Sequence, residues 1–398
     1  MLNRRLLRIK AMQAIYAYHQ AQNSDYELAQ DLIKQAFEPD LNAMERQDRS
    51  QLKRDSSLAL TIFEQSYASK KVEPHPKATP KINHSVVKAI DFYYKTLQKD
   101  YDFYFREMMG EVEMLYDNYL YILLFGIELA QTIESQRGKK SANPNNIKIV
   151  SEYKFADNQI AKVIADHKPF QEAIIRKNIS WKDENDLILT FLQTLKKDEK
   201  YQEYINLGQA TLEQDWEIID FIFREFLFKK SEEDNPDEQD DLQAFFEKKD
   251  LNWTENREIL KSMVIKSLKK AKESPENFEL VEISQDWLAD KEFFEQLYHN
   301  TLKEAKNYEE LLSEKAENWK TERFVLIDKI LIQMAIAEMI HCPSIPIKVS
   351  INEYIELAKN YSTPKSKNFI NGLLNAISEE LKANGIIKKS GRGLLDNK

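Results

Sequence analysis

Few residues of this 398-residue chain stand at spacings that could do covalent chemistry. The six histidines, His19, His75, His84, His167, His299 and His341, are scattered, and none has a partner at metal-ligand spacing. The one cysteine, Cys342, rules out an intrachain disulfide and reads as a packed residue between His341 and Pro343. Eight glycines leave no phosphate-cradling loop. Catalytic residues, metals and cofactors are therefore not expected, and the chain reads as a binding protein rather than an enzyme. Two groups suit another chemistry, the holding of unpaired nucleic acid. Arg4, Arg5, Arg8 and Lys10 gather cations in the first turns of a helix. Lys365, Lys367 and Asn368 add charge and an amide, and Phe369 a ring on which a base could stack. Each group has a plainer reading. Arginines at a helix N-terminus oppose its dipole and are usually just solvated, and Phe369 falls on an apolar stripe.

Three helices have to position the second group, over Trp319–Leu381. The first begins after Thr321, a suitable N-cap, with Glu322 at the end that favours an anion. From Phe324 to Ile340 it is apolar on nearly every side, interrupted by Asp328, Lys329, Gln333 and Glu338, which places it inside a bundle. Pro343 and Pro346 force an extended turn. The second helix is expected near Ser350, where Ser350 and Glu353 have capping-box spacing, and it ends before Ser362-Thr363-Pro364. The third starts near Ser366 and packs through Phe369, Ile370, Leu373, Leu374, Ile377 and Leu381. Gly372 within it marks either a close approach or a tolerated glycine. The arginines lie on a helix over residues 1–23 whose stripe is Leu7, Ala11, Ala14 and Tyr18.

Pro346, Lys348, Ile351-Asn352-Glu353, Glu356-Leu357-Ala358-Lys359, Lys367, Phe369, Asn371-Gly372 and Leu374 stand in one register. The pattern resembles the C-terminal signature of the NusB transcription antitermination factors. Ala11-Met12-Gln13-Ala14-Ile15-Tyr16, after the arginines, is similar to the family's first helix, and Trp287–Leu302 resembles the segment that opens its central part. The resemblance covers residues 1–23 and about 285–382. It implies an all-α, NusB-like bundle of two packed subdomains that binds boxA-type single-stranded RNA with NusE, a small-subunit ribosomal protein, in the transcription elongation complex. By the same resemblance Arg4, Arg5, Arg8, Lys10, Lys365, Lys367, Asn368 and Phe369 face RNA, and Tyr16 and Asp328 face NusE. A solvent-exposed helix start explains Asp328 equally well. Where relatives often carry an acid in the RNA-facing loop, this chain has Lys365. At Gln333 and Ala337 it lacks the Arg and Tyr common in relatives.

Eleven prolines and few glycines among many Lys, Glu, Gln, Leu and Ala residues independently point to an all-α chain. A net charge of −9 argues against a general nucleic-acid coat, although screening over about 8 Å leaves room for a local basic face. The most apolar window, Tyr119–Ala130, is too short to span a bilayer and contains Glu128, so a cytoplasmic protein with no membrane association is expected. Loops are expected near Pro39, over Val72–Pro80, Gln136–Pro144 and the acidic run Ser231–Asp241. The aromatic-rich stretch 85–134 reads as helix–helix core, with base stacking the alternative. The expected division is 1–24 as first helix, 25–280 as helical insertion, 281–385 as C-terminal core and 386–398 as a flexible basic tail. The competing function is a helical protein–protein scaffold whose RNA site is weak or lost.

Overall fold

The computed structural model describes residues 4–42, 47–72, 74–140, 153–229, 241–315 and 325–397. Thr321, Glu322 and all but the last residue of the acidic run lie outside the described residues. Among the described residues the chain is all-α, without a strand.

In chain order, α1 runs from Arg4 to Ala36, well beyond the expected 1–23. No proline or glycine interrupts it. Helix α2 covers Arg49–Ser66, with Asp48 accepting from the Ser50 and Gln51 N–H groups as its N-cap. Helix α3 covers Pro80–Lys140. Pro80 occupies its first position, where a missing N–H costs nothing, and the Thr79 hydroxyl accepts from Ile82 N–H. Five helices follow: α4 (Gln159–Ala165), α5 (Lys168–Arg176), α6 (Asn185–Leu195), α7 (Glu199–Asn206) and α8 (Leu212–Ile222). Between α6 and α7 the Asp198 carboxylate caps α7 by accepting from Tyr201 N–H. Then come α9 (Asp241–Lys249), α10 (Trp253–Glu273), α11 (Trp287–Lys303), α12 (Ala305–Lys315), α13 (Leu326–His341), α14 (Ile347–Tyr361) and α15 (Ser366–Ala383).

The chain forms two compact units, one of residues 1–6 and 111–290, the other of 7–110 and 291–398. Residues 25–110 of the expected 25–280 insertion thus share a unit with the C-terminal helices. In the first unit the later turns of α3 are the centre. Tyr119 and Phe125 are fully buried, and Gly126 lets the Phe223 ring approach to where an added Cβ would lie 3.3 Å from it. The Tyr119 hydroxyl pairs with Ser267 Oγ at 2.6 Å and accepts from Val281 N–H. Of the α3 aromatics Tyr93, Tyr119, Tyr121 and Phe125 are buried, whereas Phe103 is exposed and the others are half-buried.

In the second unit Ala29 and Ile33 of α1, Phe37 just after it, Ala59, Ile62 and Phe63 of α2, and Ile82, Val86 and Ile90 of α3 share one apolar cluster. Helices α13, α14 and α15 pack mutually. The expected flexible tail is folded back. Gly385, at φ 66°, ends α15, Ile387 is buried, Ser390 N–H donates to the Pro343 carbonyl at 3.0 Å, and a 3-10 turn over Gly391–Asn397 packs on α14.

One buried acid of this unit has no favourable partner. Asp25 is 3% exposed, and its Oδ2 meets no hydrogen-bond donor among the described residues. Burial, helped by Asp100, pushes its carboxyl up to about 6; Tyr18, Tyr93 and Tyr104 are titratable neighbours. An unfolded aspartate titrates at about 3.9. Its stabilising contribution is therefore fully present below about pH 4 and is lost as pH rises through about 6. Asp25→Asn should raise Tm above about pH 7, by an amount worth on the order of 1–2 kcal/mol, and change little near pH 4. Thermal melts across pH check this.

Candidate nucleic-acid interface

The site is built on α13. Its central turns are buried on all sides, as an apolar helix in a bundle must be, yet two carboxylates are buried with them. Asp328 lies in the first turn and Glu338 ten positions later, about 15 Å along the axis. Neither acid is idle.

Glu338 is fully buried and receives Arg8 of α1. Arg8 Nε and Nη2 each lie 2.7 Å from a Glu338 oxygen. Ser350 Oγ donates to the same carboxylate at 2.7 Å and Tyr354 OH at 3.0 Å. Glu353 stands 3.5 Å from Arg8 Nη1, and the Phe293 ring lies under the guanidinium. Burial works to lower the Arg8 pKa, but the Glu338 carboxylate outweighs it and holds the group above its ordinary range. Burial, then Glu338, pushes the Tyr354 hydroxyl well up.

Asp328 closes the other end. Its two oxygens accept from Ser362 Oγ and, at 2.7 Å, from Ser366 Oγ. Thr363 Oγ1 pairs with Ser366 Oγ, and Ser366 N–H donates to the Thr363 carbonyl. The turn between α14 and α15 is thereby tied down from beneath. On its outer side Lys365, Lys367 and Asn368 are exposed, and Phe369 is half-buried. Helix α1 runs antiparallel to α13: Arg8 meets Glu338, while His19, held low chiefly by burial, feels Lys329 and Glu309 near the Asp328 end. The Lys329 amine donates to Glu309 at 2.5 Å.

Several expectations need correcting. Arg8 is 3% exposed and Lys10 1% exposed, so neither offers a cation to a surface ligand. The reason is that Leu6 to Ala11 is buried almost all round rather than along one stripe, with only Ile9 partly open. Arg4 is half-buried in the other unit, bonded to Asp290 at 3.0 Å; Arg5 is exposed. Asp328 is no open contact for a partner, because hydroxyls occupy it and it is 5% exposed. Tyr16, 41% exposed, does face outward. Ser350 is not the N-cap of α14, which begins after Pro346; its hydroxyl is spent on Glu338. Around Gly372 an added Cβ would meet nothing within 4 Å among the described residues, so no close approach by these explains that glycine.

Glu338, Ser350, Tyr354, Ser362 and Ser366 are the residues that position the site, and their roles were missed. The available signal was an acid within an otherwise apolar helix, which requires a buried cation or hydroxyls.

The NusB family model matches residues 254–379. The match begins at Thr254, inside the stretch expected to be insertion, so α10 belongs with the matched region. Similar relatives are each named transcription antitermination protein NusB. That of Chloroherpeton thalassium is 43% identical over 117 residues, 29% of this chain and 56% of the relative. That of Salinibacter ruber is 41% identical over 105 residues, 26% and 66%. That of Bacillus subtilis is 38% identical over 89 residues, 22% and 68%. The chain thus spans 56% and 66% of the length of the first two relatives. No solved structure matches. Arg8 lies outside the matched residues and reaches them through Glu338.

Removing one member of a buried ion pair strands the other, at about 3–5 kcal/mol. Arg8→Ala should therefore cost stability of that size in urea unfolding, while Arg5→Ala should stay within about 0.5 kcal/mol of the parent.

Proposed function

Because the chain belongs to the NusB family, we propose that it is a transcription antitermination factor of the cytoplasm that binds unpaired boxA-type RNA together with NusE during rRNA transcription. The observation that carries the reading is the Asp328-clamped turn with Lys365, Lys367 and Asn368 exposed on it. Between Ser362 and Asn368 there is no carboxylate except the buried one beneath. The turn also leads into the N-terminus of α15, whose dipole favours phosphate. Lysines on a fixed turn at a positive helix end hold a strand's phosphates, while Asn368 and the Phe369 ring are placed to meet bases.

Arg8 acts through the fold, and Lys10 is buried with it. NusE is proposed to meet α1 at Tyr16, since an exposed ring on a rigid helix is the kind of anchor that interfaces use. Asp328 serves that partner only by holding the neighbouring turn. The scaffold reading is favoured by the loss of Arg8 and Lys10 from the surface, and disfavoured by two lysines kept at a turn that contains no exposed acid.

Lys365→Glu should weaken boxA-type RNA binding about tenfold or more at moderate salt, without altering unfolding. Lys365→Ala/Lys367→Ala should flatten the slope of log affinity against log salt by roughly 1.4, two single-strand contacts at about 0.7 each. Fluorescence anisotropy measures both. Binding that ignores sequence and both variants favours the scaffold. Tyr16→Ala should weaken NusE capture by about 1–2 kcal/mol while RNA binding by the chain alone is kept. Equal NusE binding by parent and variant places that interface elsewhere.

A further inference from the structure

We propose that the C-terminal segment Gly385–Asn397 is a docked basic strap that gives RNA a second set of phosphate contacts, through Lys388 and Arg392, at the Glu338 end of α13. The inference rests on the RNA-binding reading and extends it to residues outside the matched region.

The docking is built into the sequence. Gly385 turns the chain in a left-handed conformation, and Ile386 N–H and Ile387 N–H both donate to the Leu381 carbonyl. Ile387 is buried, which fixes the next three residues against the body of the unit. Lys389 spends its amine on the Cys342 carbonyl at 3.0 Å, and Ser390 N–H on the Pro343 carbonyl at 3.0 Å. Gly391, at φ 53°, opens the 3-10 turn, and Gly393 then lies so close that a Cβ there would overlap the Pro343 carbonyl oxygen. Glycine is therefore required at position 393 by contact, and at 385 and 391 by backbone conformation.

This anchoring sets where the charges go. Lys388 and Arg392 are exposed on either side of the Ser390 anchor, while Lys389 points inward. The turn that carries Arg392 packs on α14, whose first turn bears the exposed Lys348. From Ile386 to Leu395 the strap contains no acid. Cys342 and Pro343 directly follow α13, so this basic edge lies at the Glu338 end, whereas the Lys365 turn lies at the Asp328 end. Arg8 and Lys10, the cations expected to serve RNA there, are buried; the strap returns exposed charge to that end of the helix. Cations at both ends of a rod about 15 Å between its carboxylates suit a strand of several nucleotides rather than one phosphate.

The test uses the full chain and short single-stranded boxA-type and scrambled RNAs, titrated with salt. Three variants are compared with the parent: Lys388→Ala/Arg392→Ala, Gly393→Val, which keeps every charge but displaces the strap, and Lys365→Glu. The double variant should bind about tenfold more weakly and lose roughly 1.4 from the salt slope. Gly393→Val should lose affinity in the same direction, with the rest of the fold intact by circular dichroism. If Lys365→Glu weakens binding but the double variant and Gly393→Val match the parent, the strap proposal is overturned and the RNA reading stands. If the parent binds neither RNA, both fall.

Discussion

The register of α1 against α13 and α14 depends on one buried ion pair, Arg8 with Glu338. Two charges removed from water cost several kcal/mol each unless their hydrogen-bonding capacity is met. Here it is met closely: both Glu338 oxygens take an arginine N–H, one takes the Ser350 hydroxyl as well, and the other the Tyr354 hydroxyl. The pair joins residues 330 positions apart in sequence, so it fastens α1 to α13 and α14 at a defined register. Apolar packing alone is tolerant of sliding; a buried bidentate pair is not. Satisfied in this way, the charges specify the arrangement more than they add to stability.

The second carboxylate of α13 does for a turn what the first does for a helix. Asp328 converts a Ser-Thr-Pro sequence, which would otherwise be an ordinary surface connection, into a corner held from below by two hydroxyls. Lysine side chains pay an entropic penalty on ordering, and a fixed backbone reduces the remainder of the cost of binding. The placement of Lys365 and Lys367 is in this sense inherited from a buried acid beneath them. The same logic sets Arg8, which organises the fold, apart from the cations that face solvent.

The composition already spelled out the helical class, and the proline-marked turns gave the boundaries of α13, α14 and α15 to within a few residues, because Pro and Ser punctuate locally. Exposure was harder to read. The arginines of α1 looked like a solvated end because periodicity from Leu7 to Tyr18 indicates a single buried stripe; it does not reveal that other elements enclose the remaining faces of the first turns. Ser350 carried a genuine capping-box pattern with Glu353, and tertiary demand from Glu338 overrode it. Residues 386–398 resembled a tail since they hold few apolar residues; beside the buried Ile387, backbone hydrogen bonds and glycine contact dock the stretch Ile386–Gly393, and hydropathy records neither. The lysine turn, by contrast, was legible in type and place, and lacked only its support.

The most direct measurement is RNA affinity and stability for the paired replacement Arg8→Met/Glu338→Leu, set beside each single change. If the arginine acts through the fold, the two singles are unstable, the apolar pair recovers most of the loss, and the recovered protein binds boxA-type RNA with the parent's affinity and salt slope. A double variant that folds as well as the parent, yet has lost RNA affinity together with a unit or so of salt slope, would show Arg8 touching phosphate and would contradict the division of labour drawn from its burial.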